Sequence, residues 1–202
     1  MSILVVAEHD NTSIKAPTLV AVAAAQAIGG DIDILVAGKE CGDAVKAATQ
    51  IEGVSKVLSA DDEVYNHSTA ENIAGLVVEL GEKYSHILTP TTTSGKNFMP
   101  RVAALLDVQQ ISDISGVIAN DTFERPIYAG NAIETVQSSD ATKVLTVRGT
   151  AFDAVSDQGG NAEVEVLAAK HDTGLTVWNN EEIVKQDRPE LTAASVIISG
   201  GR

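Results

Sequence analysis

The feature that most constrains the fold is an alternation of two hydrophobic periods over the first half of the chain. Short runs rich in β-branched residues, at 3–7, 32–37, 56–59 and 86–89, are each followed by a stretch with helical spacing. A continuous apolar run of this length is typical of a strand covered on both faces. Because crossover connections are right-handed, four strand–helix repeats predict a parallel sheet with helices on both faces.

Local sequence signals mark where the predicted helices begin and end. Pro17 suits the first turn of a helix that stops at Gly29 and Gly30. Ser68 and Glu71 have the spacing of a capping box, which predicts that the Ser68 side chain caps the third helix. The predicted helices cover residues 18–28 and 43–50, a third segment that buries Ile73, Leu76, Val77 and Leu80, and a fourth that ends near Leu106.

The pattern changes after Leu106. Residues 122–128 and 132–136 alternate like strands around a turn, which predicts an antiparallel hairpin. Pro126 cannot donate a backbone hydrogen bond, so we expect it at an edge or a bulge. With further strands at 143–147 and 164–168, the predicted fold class is α/β: a three-layer sandwich with one mixed sheet, mostly parallel, that ends in a late antiparallel hairpin.

The length of 202 residues exceeds one domain of about 150 residues. A loop at 152–161 and a short helix or extended linker at 175–184 precede a charged, proline-broken stretch at 186–191, which reads as a boundary. An apolar strand at 194–198 follows. We therefore predict an α/β domain at 1–185, and a linker with the first strand of a second domain at 186–202, the chain stopping within a strand–helix unit.

Composition excludes several classes of partner and site. Lys and Arg number 14 against 28 Asp and Glu, a net charge of −14, which argues against nucleic acid. Nothing approaches the run of about 18 apolar residues that a membrane span requires. The single cysteine, Cys41, excludes an intrachain disulfide and a CxxC pair. The first residues lack the basic start of a signal peptide, so we expect a cytosolic setting or an organelle lumen after import.

The stretch from Thr89 to Asn97 lies between a strand and a helix, where anions bind free N–H groups. Gly95 and Lys96 resemble part of a phosphate-binding loop. Pro90, however, stands where the first glycine of that motif belongs, and Asn97 stands where a magnesium-binding hydroxyl belongs. We interpret the stretch as a generic anion-binding or hydroxyl-capped helix start.

The remaining candidate residues predict no metal or catalytic site. His9 follows the first strand at the usual ligand edge, but a solvated loop histidine is the favoured interpretation over a catalytic one. Cys41 lacks a partner and is interpreted as an inert thiol. The acidic run at 61–63 is interpreted as a solvated loop. The histidines share no ligand spacing with one another: His9, His67, His86 and His171.

Two glycines and Arg202 follow the last predicted strand, a weak signal for a nucleotide phosphate on its own. Several stretches together, however, resemble the alpha subunits of electron transfer flavoproteins. The matches run in order from end to end, and the longest reads TFERPIYAGNA. They lie at residues 84–87, 99–108, 111–114, 122–132, 146–150, 152–153, 187–191 and 199–202.

This resemblance implies a first domain with an adenine nucleotide alpha hydrolase-like fold and a second domain that holds most of the FAD. It implies a heterodimer with a beta subunit, which carries the structural AMP. The flavin would take electrons from acyl-CoA and other dehydrogenases, in fatty-acid β-oxidation, and pass them to a quinone oxidoreductase of the respiratory chain. The chain would then be an electron carrier without substrate chemistry of its own, in the bacterial cytoplasm or the mitochondrial matrix.

The sequence departs from the family because almost all of the FAD domain is absent from it. Only Arg202 matches a FAD-contacting position of the family. The expected role of this part is therefore a scaffold that contacts the beta subunit, with the loop 152–161 and the hairpin 122–136 as candidate surfaces. The alternative is a stand-alone nucleotide-binding module resembling universal stress proteins, with ATP at residues 91–96.

Overall fold

The computed structural model describes residues 1–168, 170–182 and 196–201. In this part the chain forms ten strands, four α-helices and two short 3-10 turns, at Glu63–Tyr65 and Tyr128–Gly130. The elements are, in chain order, β1 (Ser2–Val6), α1 (Ala16–Ile28), β2 (Asp31–Gly38), α2 (Gly42–Thr49), β3 (Lys56–Asp61), α3 (Ala70–Gly81), β4 (His86–Pro90), α4 (Thr93–Leu105), β5 (Gln110–Ile114), β6 (Gly116–Ala119), β7 (Thr122–Ile127), β8 (Ala132–Gln137), β9 (Lys143–Val147) and β10 (Glu163–Val166).

A seven-stranded sheet organises the molecule, with the strand order β10-β3-β2-β1-β4-β9-β5. Every neighbouring pair in it is parallel. The four predicted strand–helix repeats are confirmed, with bounds that shift by one or two residues. The chain runs outward from β1 to β2 and β3, then returns to place β4 on the other side of β1.

Helices cover both faces of this sheet and create two cores. Along β1, Ile3 and Val5 face a core with α1 and α2, whereas Leu4 and Val6 face a core with α3 and α4. All four side chains are buried. This alternation explains the uninterrupted apolar run in the sequence, because each successive side chain enters a different core. The three-layer α/β sandwich is confirmed.

The hairpin belongs to a second sheet, so the prediction of one mixed sheet is wrong. β6, β7 and β8 form a separate antiparallel sheet in the order β6-β7-β8. The chain leaves the large sheet at Ser115, whose N–H donates to the Glu124 carbonyl at 2.7 Å, and β6 then pairs with the hairpin. Phe123 from β7 is fully buried in the core that contains α1 and α2, which joins the small sheet to the large one.

Pro126 lies in β7, which is the central strand of the small sheet, but at a position of that strand that is locally an edge. The physical reason is the short reach of β6, whose pairing with β7 extends only to Glu124. Pro126 lies beyond that point and is paired with Ile133 of β8 alone. Its missing N–H is therefore tolerated at a position that is locally an edge.

Helix boundaries confirm one predicted signal and correct another. Pro17 lies in the first turn of α1, and Gly29 ends that helix with a φ of 87°. The capping box is wrong: Thr69 is the N-cap of α3, and no side chain caps it. Ser68 has a φ of 46°, a left-handed conformation that takes it out of the capping position. The buried positions predicted for this helix are confirmed: Ile73, Leu76, Val77 and Leu80.

The C-terminal part of the described chain lies mostly on the surface. The loop at 152–161 is confirmed, and residues 175–182 form neither helix nor strand. The predicted boundary at 186–191 lies outside the described residues, as do residues 194 and 195 of the last predicted strand. Val196, Ile197 and Ile198 of that strand are exposed and have no strand pairing. Within the described residues no helix has the length and apolarity needed to cross a bilayer.

Candidate functional site at the carboxyl edge of the large sheet

The strand order creates one crevice where ligands bind in folds of this type. The chain proceeds to one side from β1 and resumes at β4 on the other side. At such a switch point the loops after the two strands diverge, which leaves a gap at the carboxyl edge of the sheet. The sequence placed His9 and the stretch after β4 at this edge, and the structure confirms that placement.

A cavity of about 220 Å³ lies at this edge, between the ends of β1 and β2 and the first turns of α3 and α4. It is smaller than the roughly 300–1,000 Å³ of pockets that hold drug-sized ligands. One part of its wall is apolar, and the rest carries hydroxyl, imidazole and carboxyl groups. Its lining residues are Val6, Ala7, Glu8, His9, Ala37, Ser68, Ile73, Ser94 and Phe98.

The loop after β1 is folded around the Asp10 side chain. Asp10 Oδ1 accepts hydrogen bonds from the N–H of Thr12 at 3.0 Å and of Ser13 at 2.7 Å, and from the Thr12 hydroxyl at 2.6 Å. Lys15 forms an ion pair with the same carboxylate. The Lys15 ammonium, the Thr12 hydroxyl and the Ser13 N–H hold the pKa of Asp10 far below its usual value. The backbone donors that could bind a phosphate here are thus occupied by a carboxylate of the protein itself.

His9 lies in a close-fitting site against β2, so its interpretation as a solvated loop histidine is wrong. The ring is half-buried, and its Nδ1 accepts a hydrogen bond from the Asn11 N–H at 3.1 Å. A Cβ at Gly38 would lie 2.9 Å from His9 Cε1 and 2.1 Å from Asn11 Oδ1, so only glycine fits there. Burial lowers the pKa of His9, although the Ala37 backbone acts in the opposite direction. Near neutral pH the ring is therefore uncharged.

Glu8 is one of the lining residues of the cavity, and no motif in the sequence points to it. Its backbone is fixed, because the Glu8 N–H donates to the Thr18 hydroxyl at 2.9 Å and the Lys15 N–H donates to the Glu8 carbonyl at 2.9 Å. Its Oε2 atom is buried and has no hydrogen-bond partner among the described residues. A buried acceptor without a donor is costly, so this atom is the least satisfied part of the site.

The stretch after β4 leads directly into a side-chain-capped helix. The Thr92 side chain caps α4 by accepting a hydrogen bond from the Gly95 N–H at 3.3 Å. A Cβ at Gly95 would approach the Pro90 carbonyl oxygen to 2.1 Å, so glycine is required by helix packing against β4. The helix begins at Thr93, and the stretch is a hydroxyl-capped helix start as predicted.

Cys41 is an inert thiol, as predicted. It is fully buried beside the start of α2. Burial raises the pKa of the Cys41 thiol to about 11, and the negative charge of Asp61 adds to that shift. At neutral pH the sulfur is therefore protonated and a poor nucleophile.

The acidic run at 61–63 is largely exposed, as predicted, and its side chains also make local structural contacts. Asp61 accepts hydrogen bonds from the N–H groups of Glu40 at 2.7 Å and Cys41 at 3.2 Å. Asp62 caps the 3-10 turn that follows, through a 3.0 Å bond from the Val64 N–H. Glu63 forms an ion pair with Lys39. These carboxylates close the loop after β3 against the loop after β2.

The other histidines lie in three separate places. His86 is buried in β4, and its Nε2 lies 2.6 Å from the Asn120 carbonyl oxygen. His67 stacks on Trp178 with ring centroids 3.8 Å apart, and His171 Nε2 lies 2.6 Å from Glu79 Oε2. Within the described residues no three His, Cys, Asp or Glu side chains are grouped to hold a metal ion.

A strap formed by residues 170–178 crosses α3, and the sequence did not predict it. The His171 N–H donates to the Tyr65 hydroxyl at 3.1 Å, and the N–H and hydroxyl of Thr173 donate to Asn72 Oδ1 at 3.1 and 3.2 Å. Gly75 leaves room for the His171 ring, because a Cβ there would lie 3.1 Å from it. The strap therefore continues β10 as an ordered part of the domain. Arg202, the predicted cofactor-binding residue, lies outside the described residues.

Comparison with known proteins places these features in one family. Residues 3–172 match the model of the electron transfer flavoprotein domain. Over 202 residues the chain is 59% identical to the electron transfer flavoprotein subunit alpha of Pseudomonas aeruginosa, and 53% identical to that of Bradyrhizobium diazoefficiens. These alignments cover the whole of this chain, and they cover 65% and 64% of the length of the two relatives.

A eukaryotic relative gives the same result. The mitochondrial electron transfer flavoprotein subunit alpha of Dictyostelium discoideum is 44% identical over 216 residues, an alignment that covers 98% of this chain and 61% of the relative. The chain thus spans a little less than two thirds of the length of these relatives. Since the family model matches most of the chain and the fold agrees with it, the protein belongs to the electron transfer flavoprotein domain family.

Proposed function

We propose that the chain is the N-terminal part of the alpha subunit of a heterodimeric electron transfer flavoprotein. The observation that supports this most directly is the 59% identity, over the whole chain, to a protein named as that subunit. In the complete protein a bound FAD would carry electrons from acyl-CoA and other dehydrogenases to a quinone oxidoreductase of the respiratory chain. The protein would then be an electron carrier that performs no substrate chemistry, in the bacterial cytoplasm or the mitochondrial matrix.

The cavity at the carboxyl edge has a volume of about 220 Å³, which is small for FAD. A Cβ at Gly200 or Gly201 would meet no atom within 4 Å, so these glycines form no cradle in the described part. We therefore assign flavin binding to the portion of the family sequence absent from this chain, with Arg202 as the one contact from residues 1–202. The proposed division at residues 185 and 186 separates scaffold from flavin domain.

The scaffold role requires a surface for the beta subunit, and the small sheet is our proposed contact. At the tip of its hairpin Tyr128 is 80% exposed, and Ile133 on β8 is 57% exposed. Tyr128 and Ala129 have φ of 50° and 55°, a left-handed backbone that non-glycine residues rarely adopt. Exposed aromatic and aliphatic side chains on a fixed turn are suited to an interface core. The loop at 152–161 remains a second proposed contact.

Co-expression with a tagged bacterial electron transfer flavoprotein beta subunit tests this proposal. We expect the chain to co-purify with the tag, and Tyr128→Ala together with Ile133→Ser to reduce the recovered amount by about tenfold or more. Val166→Ser is the matched control. Val166 is also an exposed aliphatic residue, at 77%, but it lies in β10, which is the edge strand of the large sheet opposite to β5. Failure of the unaltered chain to co-purify would contradict the proposed subunit role.

Flavin binding provides the second test. The isolated chain is mixed with FAD and passed through a gel-filtration column. We expect no flavin absorbance to elute with the protein, because the cavity at the carboxyl edge of the sheet is too small for FAD. A stoichiometrically yellow protein would contradict the assignment of the flavin site to the absent portion.

A further inference from the structure

The tip of the small sheet has an unusual backbone. Seven non-glycine residues in the described part of the chain have a positive φ, and only two of them are adjacent: Tyr128, at 50°, and Ala129, at 55°. Gly130 follows with a φ of 87°, so three left-handed residues occur in succession. This conformation costs an L-residue free energy, because its Cβ lies too close to the following carbonyl oxygen. The turn is therefore strained at two successive positions.

The other five left-handed residues show how such strain is offset elsewhere in the domain. All five are polar, and each donates its backbone N–H to another group of the domain at 2.7–3.3 Å: Asn11, Glu40, Ser68, Asp107 and Asp113. Tyr128 and Ala129 differ, because both are exposed and Tyr128 is 80% exposed. Packing of their side chains within the chain therefore does little to offset the strain at the tip.

The length of the connection does not require three left-handed residues. Residues 128–131 join Ile127 of β7 to Ala132 of β8, and these two residues pair with each other. Four-residue connections between antiparallel strands are most often built around a type I turn, whose two central residues have a negative φ. A loop of this length can therefore close the hairpin with less strain than is observed.

The stem below the tip is braced. Arg125 Nε donates to Glu134 Oε2 at 2.6 Å across β7 and β8, and the Asn131 N–H closes the turn by donating to the Tyr128 carbonyl at 3.2 Å. A braced stem and a closed turn fix the point from which the Tyr128 side chain leaves the surface. Backbone strain that persists in folded proteins is concentrated at binding and switch sites, where it holds a group ready for its partner.

The chemistry of the tip indicates an apolar recipient. Residues 127–133 carry no charged side chain, in a chain whose net charge is −14. A tyrosine side chain is large and amphipathic and has only two χ angles, so its insertion into a pocket costs little conformational entropy.

We propose that the left-handed turn holds Tyr128 in the conformation in which its ring enters an apolar pocket of the beta subunit, with Ala129 as the residue that positions it. This inference rests on the subunit role and on the small-sheet contact proposed above. It requires that relief of the strain at residue 129 has opposite effects on folding and on pairing.

Ala129→Gly tests this requirement. Glycine adopts a left-handed conformation without the clash of a Cβ, so the urea midpoint of the isolated chain should rise. The freed turn also populates other conformations, so the affinity for a purified bacterial electron transfer flavoprotein beta subunit, measured by titration calorimetry, should fall by about three- to tenfold. Glu40→Gly is the matched control, because it relieves a φ of 52° in the loop after β2 and should leave the affinity unchanged.

Variants of Tyr128 test whether its ring is the positioned group. Tyr128→Phe keeps the ring and should pair within about threefold of the unaltered chain, whereas Tyr128→Ala should pair about tenfold or more weakly. In the Tyr128→Ala background Ala129→Gly should cause no further loss of affinity, because no ring is left to position. A role of Ala129 in the hairpin alone would give the same loss in both backgrounds.

The outcomes separate this inference from the subunit role. If the unaltered chain does not pair with the beta subunit, both fail. If it pairs, an undiminished affinity of Ala129→Gly, or an equal loss in the Tyr128→Ala background, overturns the inference while the subunit role stands. A lower urea midpoint of Ala129→Gly would also overturn it, because the turn would then not be strained.

Discussion

The two sheets of this protein use their hydrophobic residues differently. In the large sheet, Ile3 and Leu4 on opposite faces of β1 are both fully buried. In the small sheet, Phe123 is fully buried on one face, whereas Ile133 on the other face is 57% exposed. Helices of the same chain cover both faces of the parallel sheet. In the described residues, one face of the three-stranded sheet is left uncovered. Apolar residues therefore stabilise the fold in the first sheet and remain available for contact in the second.

A pair of isoleucine substitutions gives the largest expected contrast. Ile34 of β2 is fully buried, so Ile34→Ala should lower the free energy of unfolding by about 2–5 kcal/mol through lost burial and a cavity. Ile133→Ala at the exposed face should change it by about 0.5 kcal/mol or less. Urea unfolding of both variants, with m-values, measures the contrast. Equal losses would show that the outer face of the small sheet is packed.

A smaller effect tests whether the strap belongs to the closed region of the large sheet. Asn72 is buried, accepts two hydrogen bonds from Thr173 and donates one to the Val64 carbonyl at 3.1 Å. Asn72→Ala should cost about 1–3 kcal/mol, because these groups lose their partner. Hydrogen exchange of residues 170–178 should accelerate in that variant.

The control for the strap is Asn97→Ala, an exposed position on α4. It should leave both the stability and the exchange of the strap unchanged. Slow exchange of the strap in Asn72→Ala would mean that other contacts, such as the stacking of His67 on Trp178, hold it in place.

The junction of the two sheets should respond to pH. His86 of β4 lies 2.6 Å from the Asn120 carbonyl and has an edge contact with Phe123, with ring centroids 6.4 Å apart. Burial lowers the pKa of His86, and the positive charge of Lys143 lowers it further. The hydrogen bond with the Asn120 carbonyl raises it, but by less. The unfolded chain therefore binds a proton near pH 6.5 and the folded chain only at lower pH, so the contribution of His86 to stability falls as the pH drops below 6.5.

Unfolding of the unaltered protein and of His86→Gln between pH 5 and 8 measures this contribution. The difference in stability between the two should shrink as the pH falls. His9, whose pKa burial also lowers, is present in both proteins, so its effect cancels in that difference. A pH-independent difference would show that His86 is not desolvated at the junction.

Nucleotide addition should have the smallest effect, even though the large sheet has the topology of a nucleotide-binding fold. The N–H groups of the loop after β1 bind the Asp10 carboxylate of the same loop, and the cavity beside it has a volume of only about 220 Å³. Titration calorimetry with ATP and AMP should therefore detect no site with a Kd below about 1 mM. Micromolar binding would favour the stand-alone nucleotide-binding module over the scaffold.

The sequence predicted elements whose pattern is local. The four strand–helix repeats and the hairpin followed from hydrophobic period and turn residues, which depend on near neighbours along the chain. β5 was missed, because its run from Gln110 to Ile114 mixes polar and apolar residues with the irregular register seen against β9. The strap was missed for another reason: its contacts with Tyr65 and Asn72 join residues about a hundred positions apart.

The candidate site divides in the same way. That Cys41 has no second cysteine to pair with, and that the residues around Gly95 lack the spacing of a phosphate-binding loop, followed from the sequence alone. The roles of Asp10 and Glu8 could not be predicted from the sequence. A carboxylate that accepts hydrogen bonds from its own loop cannot be distinguished there from one that is buried without a hydrogen-bond partner. Burial and orientation of each side chain, which tertiary packing sets, distinguish them.

The sequence by itself determined the fold class, the first four strand–helix repeats and the membership in a family, since these depend on periodic hydrophobicity and on long in-order matches. Only the tertiary structure decided that the hairpin forms its own sheet, that residues 170–178 are tied to α3, and that Glu8 Oε2 is left without a donor. The physical reason is that pairing, burial and hydrogen-bond satisfaction are properties of groups brought together from distant positions, and each depends on every surface that packs around them.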